Sequence, residues 1–338
     1  MKEKIGLIGL GPMGMRHFKS CKNLGFKNIF LCDLKLNRVI KLQKKNFYQE
    51  WKSLIKNQNL DVLIVSSTAD SHYEIVKFAI QNGVKKIICE KPITNCLSQA
   101  KDLINLSKKK KTIVTVNYIR RWSSSYSKLK RLLESRRMGG IKNIYFEMGG
   151  GQLASNGGHL FDLCLYLTGS KPKSIFSKID ISNTPHPRGK KFKDPGAFGI
   201  LRLNNNIRVF FDMMEDYGTP ILIKILCKYG NVIIDEKNKE WRIYARKIKD
   251  QKIPLTKRPI LEKIKFKGHG MIDFVKSSEK TIQDILKAKK INDPACNIQD
   301  GYNSLELAIA AYYSFKKNKE VRLPLTNNNI IKKKFKFT

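Results

Sequence analysis

Ile5-Gly6-Leu7-Ile8-Gly9-Leu10-Gly11-Pro12-Met13-Gly14 decides the fold. Four apolar residues of a buried strand run straight into a Gly-x-Gly-x-x-Gly turn, and a helical pattern follows. In that setting each glycine has its own use. Gly9 permits the tight turn, Gly11 leaves room for the backbone to approach a pyrophosphate, and Gly14 lets the helix pack closely on the strand. Pro12 and Met13 open the helix, whose free N–H groups and partial positive charge suit phosphates. The next apolar run closes on Asp33, nineteen residues after Gly14. That is the spacing at which an acidic side chain accepts from the ribose hydroxyls of a dinucleotide. The expected cofactor is NAD. NADP is disfavoured because Asp33 would repel a 2′-phosphate, although Lys35 and Arg38 lie near enough to soften that preference.

Working outward, apolar runs alternate with helical patterns through the first 120 residues, the signature of a doubly wound parallel sheet. Strands are predicted near 4–8, 28–32, 61–66, 86–89 and 112–116, with helices near 13–24, 36–45, 49–57, 71–83 and 95–109. From about residue 140 strand-like segments follow one another directly: 142–149, 173–182, 197–203, 206–213, 220–227, 231–234 and 240–246. Turn signals such as Asn204-Asn205-Asn206 separate them, so a predominantly antiparallel open sheet is expected, covered by helices near 123–137, 157–168, 271–288 and 299–316. The predicted class is α/β. Residues 1–120 form a dinucleotide-binding Rossmann domain, and 121–338 form an α/β domain for substrate binding and oligomerisation.

The chain has 338 residues, 41% of them apolar, enough for two cores. No apolar run approaches the roughly 20 residues of a membrane span, and the first strand lies too close to the start to be a signal peptide. A cytoplasmic location without membrane association is expected. Seven scattered cysteines with no Cys-x-x-Cys pair fit neither a disulfide framework nor a zinc site, so buried thiols and no bound metal are expected. The net charge of +38 comes from 52 Lys and 14 Arg against 28 acids. Nucleic-acid recognition favours Arg, whereas this excess is Lys spread over nearly every segment, so it reads as compositional bias rather than a nucleic-acid surface.

Three further segments carry chemistry. Ser67, Thr68 and His72 lie where the strand ending at Val65 gives way to a helix, beyond the carboxyl end of a sheet strand, where ligands bind in open α/β sheets. Hydroxyls there face a cofactor or cap the helix. The strand ending at Cys89 closes on Glu90-Lys91-Pro92. Finally, Gly149-Gly150-Gly151 leads into Ser155-Asn156-Gly157-Gly158-His159-Leu160-Phe161-Asp162. An imidazole suits a general base because its ordinary pKa lies near neutrality.

In this order, the glycine turn, Glu-Lys-Pro and His-x-x-Asp at a helix start resemble the Gfo/Idh/MocA family of nicotinamide-dependent oxidoreductases, over nearly the whole chain. The resemblance implies that Glu90 and Lys91 border the nicotinamide ribose, that Lys91 stabilises the reacting oxygen, and that His159 is the base. Relatives carry an aspartate where Ser155 stands, so Asn156 or a substrate group would have to assist the imidazole. Asp162, three residues on, would orient the ring. Tyr118, Arg120 and Arg121 would lie over the substrate, which implies hydride exchange between NAD and a secondary hydroxyl or ketone of a sugar, polyol or nucleotide-linked sugar. The basic, Pro-rich segment 185–195 is expected to form an exposed loop whose Arg188 contacts an anionic substrate. A homo-oligomer, dimer or tetramer, is expected. The rival reading is a non-catalytic dinucleotide sensor or polyanion-binding protein; hydrolysis or elimination with transient use of NAD is a third.

Overall fold

The computed structural model describes residues 1–35, 46–180, 186, 188–268 and 272–337. The helix predicted over 36–45 lies outside these residues, and Arg38 with it.

The first half builds one parallel sheet. Its elements are β1 (Lys4–Ile8), α1 (Pro12–Asn23), β2 (Asn28–Cys32), β3 (Phe47–Tyr48), α2 (Trp51–Asn57), β4 (Val62–Val65), α3 (Ala69–Gln81), β5 (Lys86–Cys89), α4 (Leu97–Lys110) and β6 (Ile113–Val116). Strand order is β3-β2-β1-β4-β5-β6, all parallel. The order reverses direction at β1, and the crevice between β1 and β4 is the switch point at which such sheets bind ligands. Val62, Leu63, Ile64 and Val65 are fully buried. Such unbroken apolar strands are what helices on both faces of a sheet demand.

The second half comprises α5 (Ser124–Glu134), β7 (Ile141–Glu147), α6 (Gly157–Thr168), β8 (Pro172–Ile179), β9 (Ala197–Leu203), β10 (Arg208–Met213), β11 (Leu222–Cys227), β12 (Gly230–Asp235), β13 (Glu240–Arg246), β14 (Leu261–Lys263), α7 (Phe274–Lys287), α8 (Ile298–Lys317), β15 (Val321–Arg322) and α9 (Asn328–Ile331). Nine strands form one sheet in the order β14-β13-β12-β11-β7-β10-β9-β8-β15. It is antiparallel except where β10 runs parallel to β7. One face is covered by α6 and α8; Phe161 meets Phe146 and Phe211 at centroid distances of 6.1 and 5.3 Å. The other face exposes Tyr145, Phe176 and Phe198, and Tyr145 stacks on Phe210 at 4.7 Å.

Two expectations need correction. The helix predicted over 271–288 does not cover the second sheet. As α7 it packs on α1 and β5, because its buried stripe of Ile282 and Ile285 completes the core made by Ile5, Leu7, Phe18 and Ile88. Residues 185 and 187 of the segment 185–195 lie outside the described residues, and the described part is only partly an exposed loop. Arg188 to Lys191 are exposed, but Phe192 and Asp194 are buried, and the Lys193 N–H donates to the Lys336 carbonyl at 2.8 Å.

The cysteines among the described residues are free thiols, all buried except the half-buried Cys227. No helix among the described residues is long and apolar enough to cross a membrane, and no cluster of His, Cys, Asp or Glu there could hold a metal ion.

Candidate active site

A cleft of about 1130 Å³ opens beyond the carboxyl ends of the first sheet and continues against the second. Its floor at one end is the glycine turn. Gly9 has φ +88°, a left-handed conformation that favours glycine. A Cβ on Gly14 would lie 1.9 Å from the Gly9 carbonyl oxygen, so only glycine lets α1 sit this close to β1. A Cβ on Gly11 would meet nothing within 4 Å; its surroundings are open space at the helix N-terminus. Gly11, Pro12 and Met13 line the cleft, while Gly14 is buried beneath it.

Asp33 lines the same end. One carboxylate oxygen accepts from the Leu10 N–H at 2.6 Å and the other from the Lys35 N–H at 2.8 Å. Those bonds fix the carboxylate and leave lone pairs for ribose hydroxyls. Open space at the N-terminus of α1, with a fixed carboxylate beyond it, fits a dinucleotide.

Along the wall, Ser66, Ser67, Thr68 and Ser71 line the cleft. Thr68 occupies the N-cap position of α3 without a side-chain capping bond. His72 does not reach the cavity. It is buried, with Nδ1 2.9 Å from the Pro92 carbonyl and Nε2 3.1 Å from that of Ser67, so it ties the turn after β4 to the one after β5; burial pushes its pKa down.

Glu90 and Lys91 follow β5 into the centre of the cleft. The buried Glu90 Oε1 is held by His17 Nε2 at 2.8 Å and by the Asn117 amide at 2.7 Å. Burial acts to raise its pKa, but these partners win and the carboxyl lies below its usual range. Lys91 Nζ donates to the Ser155 carbonyl at 2.9 Å and to Ser155 Oγ at 3.0 Å. Burial first, then Arg188 and Arg120, lowers its pKa to about 8, while Glu90 and Asp194 act to raise it.

His159 stands on the first turn of α6 and lines the cleft, with its ring edge-on to Tyr118 at 5.6 Å. Nδ1 is buried and has no hydrogen-bond partner. Burial, Lys91 and Arg120 hold the imidazole well below its ordinary pKa, so it is neutral at pH 7. Ser155, Asn156 and Arg188 join it in the wall.

The other expected contacts fall out differently. Asp162 does not orient His159, because its carboxylate is taken by Arg121: Nε lies 3.0 Å from both oxygens and Nη2 2.8 Å from Oδ1. Arg121 also contacts Asp300 and the Ala295 carbonyl, so it is a structural cation behind the wall, not a group over the substrate. Tyr118 is likewise buried behind His159. Arg120 does line the cleft, with two guanidinium nitrogens on Glu236 at 3.0 and 2.7 Å.

Two site residues escaped the sequence reading. Glu236, some 116 residues from its partner Arg120, gives no local signal. Asp194 sits in a basic loop that reads as surface, yet its carboxylate accepts from the Ala154 and Ser155 N–H groups, each at 2.8 Å.

Comparison with known proteins agrees with this geometry. Residues 3–118 match the family model described as the oxidoreductase family with NAD-binding Rossmann fold, Gfo/Idh/MocA. The chain is 23% identical to myo-inositol 2-dehydrogenase of Thermotoga maritima over 341 aligned residues, spanning 95% of this chain and 98% of that protein. Among solved structures, levoglucosan dehydrogenase in complex with NADH and levoglucosan superimposes with a TM-score of 0.80 at 17% identity, over 96% of this chain and all of that one. The myo-inositol 2-dehydrogenase of Lactobacillus plantarum does so with a TM-score of 0.73 at 19% identity, over 95% and 99%. The glycine turn in its sheet, the fixed Asp33 and the match over 3–118 converge: residues 3–118 form an NAD-binding Rossmann domain of the Gfo/Idh/MocA oxidoreductase type, and the chain as a whole is similar to dehydrogenases built on such a domain.

Proposed function

We propose that this protein is an NAD-dependent dehydrogenase acting on a secondary hydroxyl of a cyclic polyol or sugar, and that its substrate is anionic. The observation that carries the reading is the convergence of the Lys91 ammonium and the neutral His159 imidazole on one cleft that also holds the dinucleotide floor. Nicotinamide, when bound, supplies the hydride acceptor or donor. The chain's own groups manage the oxygen and the proton. Lys91 offers a fixed positive charge to the oxygen as negative charge develops on it. The neutral imidazole of His159 takes the hydroxyl proton, or returns it in the reductive direction. Asp33 takes the adenosine ribose hydroxyls, and Ser67, Thr68 and Glu90 border the rest of the cofactor.

An anionic substrate is favoured by the charge around the base. Lys91 and Arg120 depress the imidazole, and the exposed Arg188 guanidinium has no carboxylate partner among the described residues. A carboxylate or phosphate brought in by the substrate would offset these cations and restore the basicity of His159. We assign the cofactor to residues 1–120 and the substrate and subunit contacts to 121–338. The exposed aromatic face at Tyr145, Phe176 and Phe198 is the surface on which a second copy would pack, giving a homo-oligomer, and a cytoplasmic location is consistent with the free thiols.

The test is NAD reduction followed at 340 nm against a panel of inositols, neutral sugars, uronic acids and sugar phosphates. Lys91→Ala and His159→Ala should each lower turnover of the active compound about 100- to 10,000-fold while NAD affinity is kept. Near-wild-type rates in His159→Ala would remove it as the base.

A further inference from the structure

Segments 153–155 and 193–195 lie side by side. The Leu153 N–H donates to the Pro195 carbonyl at 2.9 Å, the Ala154 N–H to Asp194 Oδ1 at 2.8 Å and the Ser155 N–H to Asp194 Oδ2 at 2.8 Å. Asp194 is itself fixed from behind, since the Lys193 N–H is bound to the Lys336 carbonyl of the C-terminal tail. On the far side of Ser155, its carbonyl and its hydroxyl both accept from Lys91 Nζ. A single residue therefore stands between a buried carboxylate and the ammonium, touching both.

We propose that Asp194 is a positioning residue of the active site: it clamps Ser155 against Lys91 and, from a distant loop, adds to the negative charge of Glu90 that keeps the Lys91 ammonium protonated. This rests on the dehydrogenase reading only for its catalytic consequence. The chain has a serine, not a carboxylate, in direct contact with the ammonium, so the charge must come from a neighbouring layer. Four charged groups bear on Lys91: Glu90 and Asp194 act to keep it protonated, Arg188 and Arg120 oppose them. Glu90 is the larger of the two and is held ionised by His17 and Asn117. Removing Asp194 thus leaves Glu90 alone to offset two guanidinium groups beside an enclosed ammonium. Asp194 in turn feels Lys91, which favours its ionised form, and Glu215, which opposes it; with burial leading, its pKa is raised to about 6. A carboxylate that served only to cap the two N–H groups near the start of α6 would leave the titration of Lys91 unchanged when replaced by an amide.

The experiment is an NMR pH titration of the NAD-bound protein carrying 13C at lysine Cε, with the Lys91 signal identified by its loss in Lys91→Arg. In the wild type the main step is expected near pH 8, with a smaller step near pH 6 as Asp194 titrates. Asp194→Asn should remove the smaller step and move the main one to lower pH. Adding Ser155→Asp to that variant should bring it back up. With an active substrate, turnover of Asp194→Asn should fall most above pH 7, through kcat more than KM, because fewer molecules hold the charged lysine. A Lys91 midpoint unmoved in Asp194→Asn overturns the proposal. So does a wild-type signal with no step near 6, which needs no variant to fold. Because the titration reads Lys91 directly, it is independent of whether the protein turns over a sugar; normal turnover in Lys91→Ala would instead sink the dehydrogenase reading.

Discussion

Adding one methyl group at Gly14 and one at Gly11 should separate stability from cofactor binding. At Gly14 the new Cβ would lie 1.9 Å from the Gly9 carbonyl oxygen and 2.9 Å from its carbon. Both are backbone atoms in the turn that carries the sheet into the helix. To reach even 3.0 Å, α1 must withdraw from β1 by about 1.1 Å, the difference between 3.0 and the 1.9 Å separation. Overpacking of this kind costs about 1–3 kcal/mol or more, and the rigid backbone partner places it at the upper end. The higher helix propensity of alanine returns about 1 kcal/mol at most. A net loss of roughly 2 kcal/mol corresponds to a Tm lower by about 4–8 °C for a domain of this size. NAD binding should weaken as well, since the helix end that receives the phosphates has moved. At Gly11, φ is −67° and ψ −174°, which alanine adopts freely, and no heavy atom lies within 4 Å of the new methyl. Gly11→Ala should therefore keep its stability within about 1 kcal/mol of wild type. Its methyl nonetheless projects into the space a pyrophosphate would occupy, so the Kd for NADH should rise at least about tenfold, a loss of roughly 1.4 kcal/mol. Differential scanning calorimetry without nucleotide and NADH fluorescence titration read the two quantities separately. If Gly14→Ala melts with the wild type, or Gly11→Ala binds NADH normally, the reading of the glycine turn is wrong.

The remaining predictions concern charge. Arg188→Ala should raise KM for the active substrate several-fold in low salt, with the effect shrinking as ionic strength screens the exposed guanidinium; an unchanged KM in low salt would return this loop to the solvated surface. Arg121→Ala should destabilise the protein by about 3–5 kcal/mol at pH 8 because it strands the buried Asp162 carboxylate. The folded-state pKa of Asp162 is already raised to about 6 and would rise further without Arg121, so the variant takes up its proton above pH 6, and the loss should shrink as pH falls from 8 toward 6 and level off below that. Equal destabilisation at pH 5 and pH 8, measured by denaturant unfolding, would contradict that account. Asp33→Ala should narrow the preference for NADH over NADPH in fluorescence titrations, since it removes the charge that repels a 2′-phosphate and leaves Lys35 at the same end of the cleft.

How much of the site could be read from the chain depended on how far its parts lie from one another in sequence. The glycine turn, α1 and Asp33 fall within thirty residues, and each is demanded by local geometry, so spacing was enough to place them. The two-residue β3 gave no periodic signal, and the parallel pairing of β10 with β7 was hidden because adjacent strand patterns suggest hairpins. Arg120-Arg121 shows the limit most clearly. As a pair of cations after a strand they read as one basic patch, but they lie in a single 3₁₀ turn, where successive side chains diverge by about 120°. Arg120 turns toward Glu236 at the cleft, and Arg121 turns the other way into Asp162. Their roles are set by carboxylates 116 and 41 residues distant. The same reasoning applies to the large positive charge. In a chain with 52 lysines, neither a lysine nor a run of them marks a site. What distinguishes Lys91 is that it alone follows β5 into the cleft with its ammonium held between two oxygens of Ser155. What distinguishes Asp194 among its basic neighbours is that burial and two backbone donors leave its carboxylate no freedom to pair with them. Site chemistry in so basic a protein is therefore located by the few acids that hydrogen bonds have fixed in place, Asp33 and the buried Glu90, Asp194 and Glu236, since each determines how a nearby cation or hydroxyl can act.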